Sequence, residues 1–251
     1  FISQDSSSYL RDVGEKEGLI RLIDAVEEIE GVKSARILYL YPTTTSNALI
    51  ERIISSPLFH NYFDMPIQHI SDSMLKRMKR GAGRERIVEQ LEMMRKAPNS
   101  FIRTSFIVGH PGESEEEFEE LLAFTKSFDF DRINIFAYSD EEDTSAYEME
   151  EKIDTKTINK RIKKLDKIVK IKTQKSLESQ VGKDVLILIE GESSEHEFFM
   201  GARELLWAPN IDGEILVNDS DIEGIRVGEC YRAKISECAG DKLIATITDV
   251  A

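Results

Sequence analysis

Phe101-Ile102-Arg103-Thr104-Ser105-Phe106-Ile107-Val108-Gly109-His110-Pro111-Gly112-Glu113-Ser114 is the stretch on which the fold turns. Its first eight residues are β-branched or aromatic at most positions and read as a strand. Gly109-His110-Pro111-Gly112 closes that strand, because two glycines and a proline within four residues make a tight turn with exposed backbone N–H groups. Ser114 then opens a helix, with Glu117 three residues on completing a capping box and Phe118, Leu121, Leu122 and Phe124 behind it. A strand, a glycine turn and a capped helix in direct succession form one βα unit.

Outward from this unit the alternation repeats. Leu19, Ile20, Ile23, Val26 and Ile29 place a helix over 16–30, with Gly31 as its stop. Ala35–Tyr41 and Tyr62–Ile67 read as strands, and Pro66 puts an irregularity near the end of the second. Asn47–Ser55, Asp72–Arg80 and Arg84–Lys96 read as helices, and Arg132–Tyr138 as a further strand. Phe1–Asp5 reads as the end of a strand running into a polar loop, which suggests that the chain is truncated at its N-terminus. Strands alternating with helices imply right-handed βαβ units and a parallel sheet, open or closed into a barrel.

The pattern changes near residue 154. Asp154 to about Gln180 is a Lys-rich helix with Ile158, Ile162, Leu165, Ile168, Val169 and Ile171 as its apolar stripe. Beyond Gly182 short strands follow: Val185–Ile189, Glu197–Arg203, Gly213–Asn218, Cys230–Ile235 and Leu243–Asp249. Such a run suggests a small closed β-barrel. The reading divides the chain into a barrel region 1–153, a connecting helix 154–180 and a β-barrel domain 181–251.

Composition bounds the function. The chain has 251 residues, 41% of them apolar, enough for one large core and a small second domain. No stretch approaches the roughly 20 apolar residues that span a bilayer, and cytoplasm is the default compartment. Net charge is −14, which argues against nucleic acid as a direct substrate and for a basic protein partner. Residues 181–251 carry 15 acidic against 6 basic side chains, so most of the excess lies there. The two cysteines, Cys230 and Cys238, match no zinc or iron–sulfur spacing and read as small apolar packing residues.

In parallel α/β folds ligands bind at the C-terminal ends of the strands. Ser3-Gln4-Asp5, Tyr39 and Tyr41, Gln68-His69, His110 through Glu113 and Tyr138-Ser139 all fall at such ends. Each also has a plainer reading, as an ordinary βα loop or a structural hydrogen bonder. The basic run Lys76-Arg77-Met78-Lys79-Arg80 suits either a solvated helix face or an anion contact. No Ser-His-Asp order, phosphate-binding loop or H-E-x-x-H element occurs. The residues alone thus reach a parallel barrel or sheet with a small-molecule site, plus an acidic β-barrel, and no reaction.

Arg103 through Ser114 closely resembles the fifth-strand motif of the radical-SAM methylthiotransferases, with His110 where that family usually has Phe. Met65-Pro66-Ile67-Gln68-His69 with Leu75 through Arg80 resembles the family's fourth-strand segment. Gln68-His69 is similar to the RimO branch, whereas tRNA-modifying members read P-x-Q-S-G-S. Ala208-Pro209-Asn210-Ile211-Asp212-Gly213 and Ser3-Gln4-Asp5 resemble that branch too, and 181–251 resembles a TRAM domain.

The fold this implies is a partial (β/α) TIM-like radical-SAM barrel followed by a small all-β TRAM (OB-like) barrel. The activity it implies is addition of a methylthio group to the β-carbon of an aspartate in small-subunit ribosomal protein twelve. The implied cofactors are S-adenosylmethionine and two [4Fe–4S] clusters in the full-length enzyme. One cluster cleaves S-adenosylmethionine to a radical that takes hydrogen from the aspartate. Sulfur associated with the other is inserted, and a second S-adenosylmethionine gives the methyl group. The resemblance places the cluster cysteines upstream of Phe1, so the residues present should bind no cluster and the fragment should be inactive.

Carried over by position, Gln4 falls near the methionyl end of S-adenosylmethionine. Gln68 and His69 fall on the ribose side, and Arg103 and Ser105 near the carboxylate or ribose. Val108, Gly109, Pro111 and Gly112 form the adenine wall, with Ala137 and Tyr138 beside it. The expected protein partner is the basic ribosomal protein, met through the acidic TRAM domain by a monomer. Rival readings are a tRNA adenosine methylthiotransferase, a non-enzymatic ribosomal-protein-binding module, and a parallel-barrel lyase or aldolase. The last would need a buried Lys or a metal-ligand set at strand ends.

Overall fold

A computed structural model describes Phe1–Ala251 throughout. The chain divides into two compact units, Phe1–Val169 and Lys170–Ala251.

The first unit is built on β1 (Ala35–Ile37), β2 (Phe59–Asp64), β3 (Phe101–Val108) and β4 (Arg132–Ala137). They form one sheet in the order β1-β2-β3-β4, and every neighbouring pair is parallel. Helix α1 (Gly18–Glu27) precedes β1 and α2 (Asn47–Ser55) links it to β2. Next, α3 (Asp72–Arg77) and α4 (Arg84–Arg95) lead to β3, α5 (Glu115–Ser127) joins β3 to β4, and α6 (Thr155–Glu178) follows. Phe1 adds to the edge of the sheet: its amino group donates to the Arg36 carbonyl at 2.8 Å, and the Phe1 carbonyl accepts the Leu38 N–H at 3.0 Å. That pattern is a parallel pairing around Ile37.

Side-chain parity explains where core and cleft lie. Successive strand residues point to opposite faces. On β3, Ile102, Phe106 and Val108 are fully buried among Leu91, Met94, Phe118 and Leu121 of α4 and α5. Arg103 and Ser105 point the other way. The same alternation puts Asn134 and Phe136 of β4, Asp64 at the end of β2, and Pro66 and Gln68 after it on that second face. The helices therefore cover one side of the sheet, and the other carries polar groups.

The capping box on α5 forms as the sequence predicts. Ser114 Oγ accepts the Glu117 N–H at 3.1 Å, and Glu117 Oε2 accepts the Ser114 N–H at 2.8 Å. Two strands differ from the sequence reading. The first ends at Ile37 rather than Tyr41, because Tyr39 turns to φ 60° and gives its N–H to the Asp64 carboxylate at 3.2 Å. The second runs Phe59–Asp64, earlier than expected, since Pro66 has no N–H for a ladder. Gln68 then returns to the sheet as a single bridge to Phe106.

In the second unit β5 (Asp184–Glu192), β6 (Met200–Glu204), β7 (Ile215–Ser220), β8 (Cys230–Ala239) and β9 (Lys242–Val250) close a barrel in the order β5-β6-β7-β9-β8. Ile187, Ile215, Ala233, Ala245 and Ile247 fill its interior. Asp212, buried, accepts the Ala208 N–H at 2.7 Å and so folds the Ala208–Gly213 motif onto itself. The β6 strand begins later than expected, since 193–199 loops out and leaves Phe198 81% exposed. Cys230 and Cys238, expected to be buried, are only partly so, because both lie near the ends of β8.

Candidate cofactor site

A cleft of about 250 Å³ lies on the polar face of the sheet. Of the residues expected at the cofactor, Gln4, Gln68, Arg103 and Ser105 line it. Tyr39 and Tyr41 join them from the segment after β1. At its floor Asp64, 1% exposed, lies 3.8 Å from Arg103 Nη1, so a buried carboxylate and a guanidinium sit together beneath the opening. Arg80 closes one side. Its Nη2 donates to the Pro66 carbonyl at 2.8 Å and its guanidinium lies 4.0 Å from the centre of the Tyr41 ring. Burial pulls its pKa down, with Tyr41 and Asp5 acting against that, and an arginine stays cationic regardless.

Two wall residues have strained backbones. Tyr39 at φ 60° and Gln68 at φ 70° occupy the left-handed region without being glycine. Gln68 is held there from both sides: its N–H donates to the Ser105 carbonyl at 2.9 Å and its carbonyl accepts from Ile107 N–H at 2.9 Å. Its Oε1 is buried and has no partner. Strain together with an unpaired buried acceptor is the kind of cost that a binding site retains.

The other expected residues gather around the turn after β3 instead. His69 is fully buried, on the opposite parity to Gln68. Its Nδ1 accepts the Ser71 N–H at 3.1 Å, which leaves the ring proton on Nε2, 3.4 Å from Glu113 Oε1. Glu113 Oε2 accepts the Gly109 N–H at 2.8 Å and Arg161 Nη1 at 2.7 Å. Arg161, on α6, also donates to the Glu113 carbonyl at 3.0 Å. Val108 is in the core, and Pro111 is buried in the turn. Gly109 and Gly112 have φ of 86° and 77°, and a Cβ on Gly109 would collide with Ile158. Ala137 is exposed at the end of β4. Tyr138 follows it and meets the His110 ring edge-on at 5.3 Å. Its hydroxyl is pushed up to about 12, by burial first and then by the hydrogen bond to Asp140.

His110 is 6% exposed, and its Nδ1 lies 3.0 Å from the Pro111 carbonyl. Burial lowers its pKa and Arg77 adds to this, against the pull of that carbonyl. A folded-state pKa below the unfolded one means that stability is present above about pH 6.5 and is lost as pH falls below it. His110→Phe, the residue usual in the resembling motif, will remove this loss. Chemical denaturation at about pH 5 and pH 8 checks it: the variant gains on the wild type only at the lower pH. Equal gains at both would contradict the sign.

Asp64, Asn134 and Phe136 were not singled out by sequence, and Glu113 was singled out only as part of the turn after the strand. Strand parity was the available signal for those three, given Arg103 and Ser105. Nothing local marked Glu113 as a clamp, because Arg161 lies 48 residues away.

Residues 1–125 match the model of the radical SAM superfamily, and 181–248 match the TRAM domain. The chain is 58% identical over 98% of its length to the ribosomal protein uS12 methylthiotransferase RimO of Nitratiruptor sp.. It is 60% identical over 98% of its length to that of Sulfurimonas denitrificans. The chain belongs to the radical SAM superfamily. It spans 57% and 56% of the length of those two curated relatives. The archaeal Methanocaldococcus infernus Elp3 with N-terminus deletion superposes at TM-score 0.46, with 17% identity over 67% of this chain and 43% of that one, too loosely to argue from.

Membership of this family implies S-adenosylmethionine and [4Fe–4S] chemistry. The cleft fits the first: its opposite charges suit a zwitterionic amino-acid end, and the unpaired Gln68 Oε1 suits a hydroxyl or amine donor. The residues present do not fit a cluster. No group of three or more His, Cys, Asp or Glu is placed to hold a metal, and both cysteines lie on β8 of the other unit.

Proposed function

We propose that this chain is the S-adenosylmethionine-binding barrel portion and TRAM domain of an enzyme that methylthiolates an aspartate of ribosomal protein uS12. The observation that carries the reading is identity near 58% over almost the whole chain to relatives named for that activity. The cleft supports it, since Gln68, Arg103 and Ser105 come from motifs that resemble the family's and share one face. S-adenosylmethionine supplies radical and methyl chemistry when bound. The part played by this chain is to bind it between Gln4, Gln68 and Arg103 and to orient it through the fixed Gln68 backbone. Two [4Fe–4S] clusters belong to the full-length enzyme on this reading.

The acidic barrel meets the basic ribosomal protein, by complementary charge. Its 193–199 loop offers a suitable contact, with exposed Phe198 stacked on His196 at 4.7 Å and Glu195 and Glu197 beside them. An aromatic ring between carboxylates suits an Arg or Lys side chain. No helix is long and apolar enough to cross a membrane.

The test is to express the full-length product carrying this chain without oxygen, reconstitute it with iron and sulfide, and measure the mass of uS12. One methylthio group localised to an aspartate is the expected result. An unmodified uS12 with methylthiolated tRNA in its place would overturn the reading in favour of the tRNA branch.

A further inference from the structure

The first half of α6 carries a feature that the cofactor site leaves unused. Lys156, Lys160, Lys163 and Lys167 are all exposed. At 3.6 residues per turn they fall within about 60° of arc, and at 1.5 Å per residue they extend over about 16 Å. Thr155 and Asn159 lie beside them on the same open helix surface.

Neighbouring charges on the same helix are spoken for. Arg161 is buried against Glu113, and Lys164 meets Glu115 at 3.3 Å and Glu119 at 3.1 Å. None of Lys160, Lys163 and Lys167 makes an ion pair. The one acidic residue of this stretch, Asp166, falls outside the stripe. In a chain of net charge −14, helix α6 carries eight lysines and one arginine against two acids, so positive potential is concentrated there.

We propose that this stripe docks the phosphodiester backbone of an RNA. Lysines three and four residues apart on one helix face present a charge every 4.5–6 Å or so, a line of positive points that a polyanionic phosphodiester strand can follow. Lysine is a flexible point charge, suited to contacts that position a protein without reading sequence. Thr155 and Asn159 add side-chain donors beside the charges. A membrane surface suits the stripe less well, because its apolar side chains point away: Ile158 and Leu165 are buried, and Ile162 and Ile168 pack on the core. Naming ribosomal RNA as the natural ligand rests on the ribosomal-protein reading above, whereas RNA binding itself does not.

The experiment is fluorescence anisotropy of the whole chain with a short labelled single-stranded RNA, titrated over a range of salt. The chain binds, with log affinity falling linearly against log salt. The variant K156Q/K160Q/K163Q/K167Q lowers that slope by about 3, as expected for four phosphates at roughly 0.7 each. The matching arginine variant keeps the wild-type slope, and circular dichroism confirms that both are folded. Neutralising four other exposed lysines, Lys16, Lys33, Lys96 and Lys183, leaves the slope within about one unit of wild type. A wild-type slope in the stripe variant would overturn the proposal, as would an equal loss in the control variant. Stripe-dependent preference for polyglutamate or anionic vesicles over RNA would overturn it too. The uS12 mass measurement is independent of all these outcomes, so the two readings fail separately.

Discussion

Replacing Glu113 with alanine will destabilise the first unit by about 3–5 kcal/mol. The carboxylate is fully buried and does three things at once. It holds Arg161, whose side chain is only 7% exposed, accepts the Gly109 N–H, and faces the Nε2 of His69. Alanine leaves a buried guanidinium without its main counter-charge and a buried N–H without an acceptor, and both penalties are large. Urea denaturation followed by far-ultraviolet circular dichroism reads the effect, since α1 to α5 and most of α6 belong to this unit. Trp207, the only tryptophan, reports on the barrel and its transition should not move. A shift below about 1 kcal/mol in the helical transition would mean that water or another group satisfies Arg161.

Gly109→Ala will cost about 3 kcal/mol, from two sources that can be separated. Any L-residue at φ 86° costs roughly 1–2 kcal/mol. The new methyl also meets Ile158, an overpacking of about 1–3 kcal/mol. In an Ile158→Ala background the collision disappears and only the backbone cost remains. A double-mutant cycle over the two sites therefore shows a coupling of at least about 1 kcal/mol, with the double variant better than the sum. Additive costs would contradict the packing of α6 on the turn.

These two residues show what the sequence could and could not convey. Gly109 and Gly112 were legible as a tight turn, and Ser114 with Glu117 as a cap, because each signal lies within a few residues of its partner. The parallel sheet followed from the same alternation. The clamp was not legible: Glu113 reads as one more acid before an acidic helix, and its partners His69 and Arg161 come from far along the chain. For the same reason His69 seemed to share a site with Gln68. Adjacent residues after β2 point to opposite faces, so Gln68 reaches the cleft and His69 the buried side of the turn. Asp64 shows the converse, as an ordinary strand end that becomes half of a buried charge pair once β3 brings Arg103 beside it.

The central claim is that the polar face of the sheet, through Gln68, is where S-adenosylmethionine binds. Calorimetry with the reconstituted full-length enzyme tests this most directly, comparing wild type with Gln68→Ala. Loss of one buried hydrogen bond to the ligand weakens binding by about tenfold, while the melting temperature without ligand stays close to wild type. Unchanged affinity in a folded Gln68→Ala enzyme would contradict the claim and move the cofactor away from this cleft.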